Sequence, residues 1–123
     1  MIPSANQCGQ GFRYTQDQIF ETTDQIAERV RKIGGTTIRS IAQIGRLQAL
    51  KDNEKEFVAP RDMLAELLRD NKAVTESMRE AHALTDDHKD VATASLLEMF
   101  IDGAECRCWF LFEASRKADQ SGH

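Results

Sequence analysis

The chain has 123 residues, of which 41% are hydrophobic and 29% are charged, and its net charge is −4. This is the size and composition of one globular domain, here residues 1–123, with loose tails expected at about 1–11 and 117–123. The acidic balance argues against nucleic-acid binding through a generally basic surface. No apolar run approaches the ~18 residues of a membrane span, and residues 1–11 lack the basic and apolar regions of a signal peptide.

Residue usage favours helices over a β-sandwich, since the chain has only two prolines and few aromatic residues. Its three cysteines are an odd set without a CxxC motif. Cys106 and Cys108 would point about 200° apart on a helix, so they cannot pair with each other. The simplest interpretation is reduced thiols in a cytosolic protein.

The first predicted helix runs from about Phe12 to Ile33 and ends at Gly34 and Gly35. On a helical wheel one side is apolar: Ile19, Thr23, Ile26, Ala27, Val30 and Ile33. The opposite side carries acids at four-residue intervals: Asp17, Glu21, Asp24 and Glu28. Like charges one turn apart repel by a few tenths of a kcal/mol. The acidic stripe is therefore either a solvated surface or half of a site for a hard cation.

A shorter helix is expected next, with Thr36 or Thr37 as its cap. Its apolar residues repeat every three positions: Ile38, Ile41, Ile44, Leu47 and Leu50. A charged connector then leads to Pro60, which suits the first turn of a long helix that ends near Thr85.

The last predicted helix runs from about His88 to Lys117, with Asp86 or Asp87 as its cap. If Asp87 is the cap, Asp90 is the third helical residue of a box-like arrangement. The middle of this helix is apolar on most sides, which predicts burial on more than one flank. In total the sequence predicts three long helices and a short one, and three long helices leave one side of a bundle open.

Three segments, residues 24–41, 58–71 and 86–115, together resemble Dps, the ferritin-like protein that protects DNA in starved bacteria. The resemblance covers about residues 14–116. It implies an all-α fold, a ferritin-like four-helix bundle with a short helix between the second and third bundle helices. It also implies hollow twelve-subunit shells that oxidise Fe(II), preferably with hydrogen peroxide, and store the ferric product.

The resemblance implies a metal site at Asp24 and Glu28. They match the two acids that one Dps subunit contributes to a ferroxidase centre, across a two-fold interface from histidines on the partner's first helix. No histidine precedes Asp17 here, so the chain resembles a member that lacks most of its first helix. Carboxylates alone would bind Fe(II) weakly. The expected function is thus impaired iron binding and ferroxidase-type storage, or else a non-catalytic module that co-assembles with a full-length paralogue.

The resemblance also places an acidic three-fold iron pore at Asp87, Asp90, Glu98 and Asp102, although Asp87 and Asp90 are equally explained as helix caps. Glu66 and Asp70 are either a mineral-nucleating surface or a solvated face. Lysine-rich tails often bind DNA in this family, and few cations lie in the tails here, so direct DNA contact has weak support. The expected location is the bacterial cytoplasm, with association with the nucleoid as a further expectation.

Overall fold

The computed structural model describes the backbone of residues 12–120 and the side chains of residues 17–117. This part of the chain forms four helices and no strand: α1 (Phe12–Lys32), α2 (Ile41–Leu47), α3 (Pro60–Asp87) and α4 (Val91–Gln120). The predicted all-α class is confirmed. Over the same residues, no helix has the length and apolar character needed to cross a bilayer. The expected N-terminal tail at 1–11 lies outside the described residues, and α4 continues to Gln120 rather than ending at Lys117.

The glycine pair ends α1, as the sequence predicts. Gly34 has a φ of +91°, and the Gly35 N–H donates to the Val30 carbonyl at 2.8 Å. The predicted caps of α2 are wrong: Ser40, not Thr36 or Thr37, is the N-cap, and its hydroxyl accepts from the Gln43 N–H at 3.1 Å. Residues 35–39 are not helical, so the first threonine pair lies too early in the chain to reach the free N–H groups of α2.

The turn between α3 and α4 corrects the predicted cap of the last helix. Lys89 has a φ of 59°. Its N–H donates to the Asp86 carbonyl at 3.0 Å, and the Asp90 N–H donates to the Thr85 carbonyl at 2.8 Å. This is the Schellman pattern, which ends α3. Asp90 then caps α4, because its Oδ1 accepts from the Thr93 N–H at 3.2 Å. Asp86 and Asp87 instead form the last turn of α3, because α3 continues two residues past its predicted end.

The core lies between α3 and α4, where Met78, Leu97, Phe100 and Ala104 are buried together. α1 packs against α4 but not against α3, and α2 packs against none of the described helices. Gln18 in the first part of α1 bonds to Arg107 in the middle of α4, and Arg29 near the end of α1 bonds to Asp90, which precedes α4. α1 is therefore antiparallel to α4 and parallel to α3, and residues 33–59 form a long crossover, as in ferritin-like bundles.

Candidate metal site and its surroundings

Asp24 and Glu28 lie one turn apart on α1, and both side chains are exposed to solvent. Neither makes a hydrogen bond or ion pair with any described residue. Asp17 and Glu21, on the same acidic stripe, are also exposed. The carboxylate oxygens of the pair are thus accessible, and no described cation forms an ion pair with them.

Two polar contacts fix how α1 is turned relative to α4. Arg107 Nη1 donates to Gln18 Oε1 at 2.9 Å, and Arg29 Nη2 donates to Asp90 Oδ1 at 3.0 Å. Gln18 and Arg29 are three turns apart and share one side of α1, which places Asp24 and Glu28 about 100° around the helix from the side that faces α4.

The Arg107 guanidinium is almost fully buried, at 5% exposure. Its Nε donates to Asn71 Oδ1 at 3.1 Å, so one α4 side chain joins α3 as well as α1. Burial lowers the pKa of Arg107, and the nearby thiols of Cys108 and Cys106 partly oppose that shift. The two amides that accept its hydrogen bonds are uncharged, and no described carboxylate pairs with it.

Asp90, an expected pore residue, forms hydrogen bonds to Arg29 and Thr93 of its own chain. The Thr93 hydroxyl and then the Thr93 N–H, with a smaller contribution from Arg29, outweigh burial and lower the pKa of Asp90 below its ordinary value of 3.8. Arg29 Nε also donates to the Thr93 hydroxyl at 2.8 Å, which closes a three-residue cluster at the α3–α4 turn. This cluster holds the C-terminal part of α1 against the bundle.

The other expected pore residues, Asp87, Glu98 and Asp102, are exposed. Glu98 Oε1 lies 3.8 Å from Nε2 of His82, and Asp102 has no described hydrogen bond. Among the described residues, the four do not come together as a group that could hold a metal ion. Their role in a pore stays a prediction.

Glu66 and Asp70 line an open cleft of about 1170 Å³ between the connector and α3. Asn53 Nδ2 donates to Glu66 Oε2 at 2.7 Å. Across the described part of the chain, no three His, Cys, Asp or Glu side chains are close enough to hold a metal ion together. Cys106 and Cys108 form no disulfide. A metal bound at Asp24 and Glu28 would therefore take its further ligands from outside the described residues of this chain.

A family model for the ferritin-like domain matches residues 9–120. This chain belongs to the ferritin-like family. The fold of this ferritin-like protein is similar to that of DpsC from Streptomyces coelicolor, with a TM-score of 0.74 and 21% identity over 87% of this chain and 68% of DpsC. The predicted resemblance to Dps-type ferritin-like proteins is thereby confirmed.

Two cyanobacterial proteins are also similar to the ferritin-like chain. They are an uncharacterized low temperature-induced protein of Nostoc sp. (strain PCC 7120) and its homolog in Anabaena variabilis, each 29% identical over 96 residues. The match covers 77% of this chain and 54% of each relative. The chain thus spans about half the length of the curated relatives it matches.

Sequence reasoning missed two polar clusters, one around Arg29 and one around Arg107. The first had a weak signal, since Asp90 and Thr93 have the spacing of an N-cap and its third helical residue. The cluster around Arg107 had no sequence signal, because Arg107 bonds to Gln18, a residue 89 positions earlier in the chain.

Proposed function

We propose that this protein binds Fe(II) as a substrate through Asp24 and Glu28, at an interface with a second subunit. Its role is the oxidation and sequestration of iron in the bacterial cytoplasm, which protects DNA from oxidative damage. The observation that carries the proposal is the acid pair itself: two exposed carboxylates one turn apart, without a described cation to neutralise them. Pairs of inward or interfacial carboxylates are the ligands that ferritin-like proteins use for iron.

Asp24 and Glu28 contribute two side-chain ligands to the iron, and the remaining ligands would come from the partner subunit. The described histidines of this chain are engaged elsewhere: His82 faces Glu98, and His88 Nδ1 is 2.9 Å from the Leu84 carbonyl. Each Fe(II) that becomes Fe(III) gives up one electron, and hydrogen peroxide accepts two, so two Fe(II) ions are oxidised per peroxide. A site with few imidazole ligands would bind Fe(II) weakly.

The test compares two double variants: one lacks the acid pair, and the other lacks the neighbouring pair of acids on the same stripe. The double variant Asp24→Ala, Glu28→Ala should weaken anaerobic Fe(II) binding by about 10-fold or more, as loss of metal ligands usually does. The control Asp17→Ala, Glu21→Ala removes the same charge at the same spacing and should change binding less than about twofold. Equal losses in the two variants, or absence of Fe(II) binding at micromolar metal in the unmutated protein, would refute the proposal.

A second candidate function is a non-catalytic module that co-assembles with a longer paralogue. It is favoured by the exposure of large apolar residues on α2, where Ile41 is 87% and Leu47 is 63% exposed. Exposed apolar surface of this kind marks protein interfaces. Size-exclusion chromatography with light scattering separates the candidates: a discrete homo-oligomeric shell supports iron storage, and a monomer that gains order beside the longer chain supports the module.

For contact with DNA we propose residues 29–51, the last turn of α1 and the first part of the crossover, rather than the tails. Six of the sixteen Lys and Arg residues, and none of the twenty Asp and Glu residues, lie between residues 29 and 51. Five of these cations are exposed and pair with no described acid: Arg31, Lys32, Arg39, Arg46 and Lys51. An acid-free basic segment on an acidic protein is a local electrostatic footprint for phosphates.

A further inference from the structure

The face of α1 that contacts α4 is polar. Four half-buried residues follow one another at intervals of four, three and four positions, which is the spacing of a single helical face. They are Gln18, Thr22, Gln25 and Arg29, and we call them the polar face. The Thr22 hydroxyl donates to the Gln18 carbonyl of its own helix, and Gln25 has no hydrogen bond among the described residues. The described hydrogen bonds between α1 and α4 are therefore confined to the two ends of this face.

An apolar face lies beside the polar face and is left partly exposed. Its members Ile19 and Ile26 are 40% and 38% exposed, and they lie about 100° around α1 from the polar face. The acid pair, Asp24 and Glu28, lies about 100° in the opposite sense. Apolar side chains normally take the position against a neighbouring helix, because burial removes their surface from water. The polar face thus lies on α4 although a more apolar face of the same helix is available.

Arg107 and Asp90 supply the physical reason for this arrangement. Arg107 is 5% exposed, and its guanidinium uses the Gln18 oxygen as an acceptor because a buried charge without acceptors is costly. Asp90 caps α4 and accepts from Arg29 with the same oxygen, Oδ1. A turn of α1 by about 100° would bury the apolar face on α4 and break both contacts. It would also point the acid pair almost directly away from α4.

We propose that Arg107 and Asp90 are positioning residues for the iron site: they hold the polar face of α1 on α4 and thereby direct Asp24 and Glu28 toward the partner subunit. This role presupposes the proposed iron site. Neither residue touches the iron, since both act through side chains of α1. An ion shared by two subunits requires the carboxylates of each to point at ligands of the other, so a turn of one helix costs metal affinity.

The first test measures which face of α1 lies on α4. Thr22→Cys places a thiol on the polar face, and Thr23→Cys places one on the apolar side of the helix. Thr22 is half-buried and Thr23 is exposed, so iodoacetamide should alkylate the thiol at position 23 faster. Mass spectrometry of peptides reads each site separately from the native cysteines. The double variant Gln18→Ala, Arg29→Ala removes both contacts, and in it the ratio of the two rates should fall to one or below.

The second test measures anaerobic Fe(II) binding by the same double variant of the full chain. Its affinity should fall by about 10-fold, as it does when groups that orient metal ligands are removed. Loss of the Arg29 cation by itself would favour a divalent metal, so a lower affinity is not an effect of charge. The variant Gln18→Glu, Arg29→Lys keeps an acceptor for Arg107 and a cation for Asp90. It should bind Fe(II) within about twofold of the unmutated protein.

Arg79→Ala is the matched control, because it removes one cation and the 3.0 Å contact to Glu105 between α3 and α4. It should change Fe(II) affinity less than about twofold, since it lies outside the contacts of α1. If the double variant does not fold, Gln18→Ala alone takes its place in both tests.

A rate ratio that stays above one, an unchanged Fe(II) affinity, or an equal loss of affinity in Arg79→Ala would overturn the positioning role. Absence of Fe(II) binding in the unmutated chain would instead refute the proposed function. The alkylation rates would then still decide whether the two residues hold the polar face on α4.

Discussion

Replacement of Lys89 by glycine should stabilise the protein. Lys89 adopts a φ of 59° at the end of α3, and its N–H closes the 3.0 Å bond to Asp86 that helps to end the helix. A side chain in this left-handed conformation costs roughly 1–2 kcal/mol. Glycine removes that cost but loses about 0.5–1 kcal/mol of chain entropy on folding. The expected net gain for Lys89→Gly is therefore about 1 kcal/mol in the free energy of unfolding.

The control for this prediction is Lys72→Gly, which removes the same charge from an exposed position in the middle of α3. Glycine in a helix interior should cost about 1 kcal/mol there. Thermal and urea unfolding of both variants would be compared with the unmutated chain. A change of 1 kcal/mol should move the melting temperature by roughly 3–6 °C for a chain of this size, upward for Lys89→Gly and downward for Lys72→Gly. A decrease in both variants would show that the positive φ of Lys89 is not a source of strain.

Two further predictions concern Asp90 and the crossover. Because the folded-state pKa of Asp90 lies below its ordinary 3.8, its contribution to stability is present above that pH and is lost as the pH falls through the lower folded value. The difference in melting temperature between the unmutated protein and Asp90→Asn should therefore shrink between about pH 6 and pH 3. A constant difference would contradict the lowered pKa that the hydrogen bonds of Thr93 give Asp90. For DNA, Arg39→Gln with Arg46→Gln should reduce the slope of log K against log salt by about 2 for a labelled duplex. Arg69→Gln with Lys72→Gln, which removes the same charge outside the crossover, should leave that slope unchanged.

Local sequence features alone determined the helices and the exposed acid pair. The glycine pair after α1 and Pro60 at the start of α3 mark helix ends through their own backbone chemistry, whatever the rest of the chain does. Asp24 and Glu28 share one face of α1 because they are one turn apart, and that relation needs only the 3.6-residue period.

The tertiary structure decided which aspartate caps α4 and what surrounds Arg107. Asp86, Asp87 and Asp90 are all chemically able to cap a helix, and the choice depends on the left-handed turn at Lys89, which lets α3 run on to Asp87. Arg107 stands in an apolar stretch of α4, and its neighbours Asn71 and Gln18 are 36 and 89 residues away in the chain. Burial of a charge is a property of packed helices, because only the packing removes water and brings such distant acceptors together.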